Sequence, residues 1–64
     1  MNMADEAIFA RADAWRDYAR RNRLPRAVTL LGIRLVLRAG LDNPPDFETI
    51  EQRATLADIA GVQP

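Results

Sequence analysis

The chain has 64 residues, nine arginines balanced by nine carboxylates, and no lysine, so its formal net charge is zero. A chain this short forms one domain and hides only about 60% of the surface its unfolded form exposes, so its stability is marginal. Having neither cysteine nor histidine, it has no disulfide and none of the usual zinc ligands as staples, which leaves helix packing and partner chains.

A first helix is predicted from Ala4 to Arg21. Ile8, Ala12, Trp15 and Ala19 recur at helical spacing on one face, with Phe9 and Tyr18 at its edges. Asp13, Arg16, Asp17 and Arg20 occupy the opposite side, and Asp17 precedes Arg21 by four residues, the favourable order for an ion pair. Asp5 and Glu6 suit the N-terminal end of the helix dipole, and the arginines suit its C-terminal end.

A second helix is predicted from Pro25 to Ala39, because proline is tolerated at a first helical position. Gly40 is expected as the left-handed residue that ends it. The run Val28 to Leu37 is long for a strand and does not alternate, so helix is the reading taken. Pro44 and Pro45 then stop any continuation. The next cap is expected at Asn43 or at Asp46. A third helix carries Phe47, Ile50, Ala54 and Ala57 on one face. The apolar phase slips after Ala54, and Thr55 with Asp58 resembles a capping box. A short fourth helix over Thr55–Ala60, ended by Gly61, is therefore an alternative. The fold class expected is all-α, a bundle of three helices with this short fourth as an option.

The second helix is apolar around about 280° of its circumference, interrupted by a stripe of Arg34, Arg38 and Ala27. Two readings follow. The C-terminal piece folds over its far side with Leu56 and Ile59, or part of the surface is an interface with a partner or a second copy of the chain, carried by Leu31, Leu35 and Val36.

Charge is segregated along the chain. Residues 1–10 carry −2, residues 11–38 carry eight arginines against Asp13 and Asp17, or +6, and residues 39–64 carry five carboxylates against Arg53, or −4. The poles either neutralise each other as solvated faces or one meets a charged partner. The acidic candidates are Asp42, Asp46, Glu48, Glu51 and Asp58. The basic candidates are Arg20, Arg21, Arg23 and Arg26, which could grip phosphates, although the balance of the whole chain is not that of a nucleic-acid binder.

Catalysis is not expected. The sequence has no Ser, Cys, His or Lys, the residues from which nucleophiles and bases are usually drawn, and no cofactor or metal is expected. The start of the chain is acidic and lacks the basic and apolar runs of a secretory signal. The longest apolar stretch carries two arginines and falls short of the roughly 20 residues a bilayer span needs, so a cytoplasmic protein without a membrane partner is expected. Thr55 to Val62 looks like the first helix and turn of a helix-turn-helix, but only Gln63 and Pro64 follow, where a recognition helix would be needed. Arg23-Leu24-Pro25 resembles the strand end of ribbon-helix-helix repressors, without the strand.

In type, the chain resembles small phage-encoded inhibitors of the anti-CRISPR kind: short, cysteine-free, of one domain, with an acidic segment. The resemblance is carried by no motif. It implies a non-enzymatic protein that binds a nucleic-acid-handling complex of the host and blocks nucleic-acid capture. A small nucleic-acid-binding regulator using the Arg20–Arg26 corner is the alternative.

Overall fold

The computed structural model describes residues 3–61 and consists of three helices: α1 Met3–Arg21, α2 Arg26–Ala39 and α3 Phe47–Ala60. Among the described residues there is no strand. Val62, which the helix-turn-helix comparison requires, lies outside the described residues, as do Gln63 and Pro64.

Helix ends are set by a few residues. Pro25 is the N-cap of α2 rather than its first helical residue, with ψ at 152°. Its carbonyl accepts from the Thr29 N–H at 3.0 Å and the Thr29 hydroxyl at 3.1 Å. Gly40 ends α2 with φ 68° and ψ −150°. Its φ is positive, as expected, but its ψ lies outside the left-handed helical region, in a zone open essentially to glycine alone. Of the two caps considered for α3, Asp46 is the one used, its Oδ1 accepting from the Thr49 N–H at 2.8 Å.

α3 runs unbroken through Thr55, so the short fourth helix is not formed. A break there would give up backbone hydrogen bonds of the helix and leave a Thr55 cap to replace only part of them. The helix instead continues and leaves Leu56 and Ile59 in solvent, 66% and 76% exposed. Gly61, left-handed at φ 72° and ψ 20°, ends it.

α2 is central and packs against both other helices. The core is built around Trp15, which is fully buried, with Ala12, Ala19, Val36 and Ile50. The Trp15 indole N–H donates to the Thr29 carbonyl at 2.9 Å. Its ring lies directly on α2 at Gly32, where a Cβ would fall 2.0 Å from Cζ2. No other residue admits that approach. Between α1 and α3 the gap is filled by rings: Trp15 stacks on Tyr18 at 5.5 Å and meets Phe47 edge-on at 5.7 Å. Arg11 reaches across, its guanidinium 5.1 Å from the Phe47 ring centre and donating to the Pro45 carbonyl. Contacts climb both helices in step, from Arg11–Pro45 through Trp15–Phe47 to Tyr18–Glu51. α1 and α3 therefore point the same way, with α2 antiparallel to both.

One expectation about α2 is corrected by this packing. Among the described residues nothing folds over its far side, because Leu56 and Ile59 point outward from α3. Leu30 and Leu37 consequently remain about half exposed, at 50% and 43%.

Candidate interaction surfaces

The acidic residues do not form one cluster. Asp42, Asp46 and Glu48 are exposed and gather where the α2–α3 loop enters α3. Glu51 is half-buried and accepts a 2.6 Å hydrogen bond from the Tyr18 hydroxyl. Asp58 is exposed in the last turn, ten residues and about 15 Å along the axis from Glu48. Asp46 also serves as the cap. Hydrogen bonding from Thr49, first through its side chain and then through its N–H, holds the Asp46 carboxyl below the usual range. The structural uses of Asp46 and Glu51 are absent from any charge count. The S/T/D-type cap position was readable in sequence, whereas the Tyr18–Glu51 pair, 33 residues apart, was not.

The Tyr18–Glu51 contact has a chemical consequence. The bond to the carboxylate first, then burial and the negative charge of Glu51, push the phenol up to about 12. Tyr18 is thereby held as a neutral hydrogen-bond donor to Glu51.

The basic corner is partly tied down. Arg20 and Arg21 both bind Asp17, at 2.6 Å and 3.1 Å. The hydrogen bond from Arg20 and then the charge of Arg21 hold the Asp17 carboxyl below its usual range. These exposed pairs add little stability, but they place a carboxylate among the arginines. Arg23, with φ at 54°, and Arg26, the first residue of α2, are exposed and have no side-chain partner among the described residues.

No ion pair among the described residues joins the arginine-rich segment to the acidic segment. The contact between the two segments is made instead by Arg11, which binds the Pro45 carbonyl and the Phe47 ring and no carboxylate. Of the three residues expected as an apolar interface, Val36 is core, 1% exposed. Leu31 and Leu35 are half-buried. The large exposed apolar residues among those described are others: Leu30 and Leu37 on α2, Leu41 in the loop after it, Leu56 and Ile59 on α3, Met3 and Phe9 on α1.

Two of the furrows on the described surface bear on these faces. One of about 450 Å³ is lined by Glu51, Gln52, Thr55 and Leu56, all of α3. The other, about 200 Å³, is lined by Arg34, Leu35, Leu37 and Arg38 of α2. Each is lined by consecutive turns of one helix, unlike the convergent walls of a small-molecule site. Among the described residues no group of His, Cys, Asp and Glu is placed to hold a metal ion, and no helix is long and apolar enough to cross a membrane. Compared with family models, curated proteins and solved structures, the chain matches none.

Proposed function

We propose that this protein is a non-enzymatic protein-binding module that covers the basic, nucleic-acid-capturing surface of a partner complex with the carboxylates at the start of α3. The observation that carries this reading is the acidic edge: Asp42, Asp46 and Glu48 are exposed, and among the described residues no ion pair ties them to an arginine, with Arg11 held beside them by Pro45 and Phe47. Carboxylates presented in this way stand in for phosphates and are steered toward basic channels, with association slowed by salt. The concrete version is a small phage-encoded inhibitor of the anti-CRISPR kind, acting in the host cytoplasm and denying an effector its nucleic acid. Asp58 extends the acidic face toward the end of α3, and Glu51 serves the fold before it serves a partner. The alternative, a regulator gripping phosphates through Arg20, Arg21, Arg23 and Arg26, has less support because Asp17 occupies two of the four.

The test is charge reversal in two places. One variant carries Asp42→Arg and Glu48→Arg, the other Arg20→Glu, Arg21→Glu and Arg23→Glu. DNA capture by the effector is measured with each. The acidic-edge variant is expected to lose inhibition while the arginine variant keeps it. The reverse pattern overturns the reading, and salt-sensitive DNA binding by the wild-type protein alone supports the regulator instead.

A further inference from the structure

α2 and α3 present unlike outward faces. On α2, Leu30, Arg34, Leu37 and Arg38 share an arc of about 100°, and the helix contains no acidic residue. On α3, Glu48, Gln52, Thr55 and Ile59 fall within about 60° of one line, with Leu56 and Asp58 at its two edges. Arg53, the basic residue of α3, points about 140° away from Glu48. One face is apolar and cationic, the other apolar and anionic, and both are solvent-facing.

Their order along the helices also matches. α2 is apolar at Leu30 and cationic toward its C-terminal end at Arg34 and Arg38. α3 is anionic at Glu48 near its start and apolar at Leu56 and Ile59 near its end. Laid antiparallel with Leu30 opposite Ile59, Leu37 falls opposite Gln52, at the furrow lined by Glu51, Gln52, Thr55 and Leu56. In that register Arg38 lies within one turn of Glu48, about 4.5 Å along the axis, and Asp58, at one edge of the α3 face, adds to the negative potential that faces Arg34. Leu30 and Ile59 then cover each other and Arg38 meets Glu48, while Leu37 seats beside the aliphatic stem of Gln52.

We propose that the occupant of the outward face of α2 is the outward face of α3 from a second copy of this chain. The contact is between unlike faces, so it is defined by charge complementarity and not by self-pairing of either helix. This inference stands apart from the inhibitor reading and needs no other protein to test. Because α3 is used in both, self-association and partner binding exclude each other.

Sedimentation equilibrium at low ionic strength, from about 10 μM to about 1 mM chain, provides the measurement. The wild-type mass should rise above the 7.2 kDa of one chain and fall back as salt is added. Arg34→Glu with Arg38→Glu in one variant, and Glu48→Arg with Asp58→Arg in another, should each weaken association about tenfold or more. All four positions are exposed, and circular dichroism checks that the helices persist. Mixing the two variants should restore association, because the reversed α2 of one now complements the reversed α3 of the other. A wild-type protein that stays at monomer mass throughout overturns the proposal. So does association that survives the α3 reversals, which would mean that α2 pairs with α2, or a mixture that fails to recover.

Discussion

Gly32→Ala adds one methyl group in the middle of the central helix α2, and the structure makes it a core substitution. The new Cβ would lie 2.0 Å from Cζ2 and 2.2 Å from Cε2 of Trp15, inside any tolerable carbon–carbon contact. The indole cannot swing away cheaply, since Trp15 is fully buried and its N–H holds the Thr29 carbonyl. Overpacking of this kind costs about 1–3 kcal/mol, and losing the indole hydrogen bond about 1 kcal/mol more. Replacing glycine by alanine inside a helix returns about 1 kcal/mol. The net loss expected is thus about 1–3 kcal/mol, against a total stability of roughly 3–10 kcal/mol for a chain of this size. At about 4–8 °C per kcal/mol, the melting temperature followed by circular dichroism should fall by roughly 5–20 °C. The near-ultraviolet tryptophan signal should change with it. Combining the substitution with Trp15→Phe should cost less than the sum of the two single changes, because the narrower ring relieves the overlap. A Gly32→Ala protein that melts at or above the wild-type temperature would show that helix propensity dominates and that the Trp15–Gly32 approach is not what shapes the core.

Alkaline titration followed by phenolate absorbance should place the single tyrosine near 12 in the folded protein, and Glu51→Gln should bring it back toward 10. Because the folded value is raised, the stability Tyr18 contributes is whole below pH 10 and is lost as the pH climbs through the folded value. Asp46→Ala should cost about 1 kcal/mol in thermal melts through loss of the α3 cap, and Asp46→Asn should retain most of it. Ile50→Ala should cost about 2–5 kcal/mol, whereas Leu56→Gln and Ile59→Gln should each stay within about 0.5 kcal/mol of wild type. These melts are made in salt that keeps the chain monomeric, where a large loss from either glutamine would mean that α3 is covered within its own chain.

Helical periodicity carried most of the architecture. Ala12, Trp15 and Ala19 share the buried face expected of them, the Asp17–Arg21 pair is present, and Ile50 and Ala54 form the inner face of α3. What periodicity does not report is which other element covers a face. It marked α2 as apolar nearly all round, yet could not say that Val36 lies inside while Leu30 and Leu37 face water. It registered the phase slip after Ala54 and offered a helix break, whereas the continuous backbone hydrogen bonding of α3 outweighs the exposure of two apolar side chains. Gly32 was the clearest overlooked signal: a glycine inside a strong helical pattern costs about 1 kcal/mol and so implies a close approach. The charge pattern was legible as three blocks, but Tyr18–Glu51 and the Asp17 pairs depend on side-chain geometry that a count of charges does not hold.

Whether this protein and nucleic acid compete for one surface decides the account most directly. An immobilised effector complex is either left free or saturated with its DNA, and binding of the wild-type protein is measured on both. The acidic edge of α3 predicts binding to the free effector and its loss, or near loss, on the DNA-loaded one. Equal binding to both would contradict occupation of the nucleic-acid site by Asp42, Asp46 and Glu48.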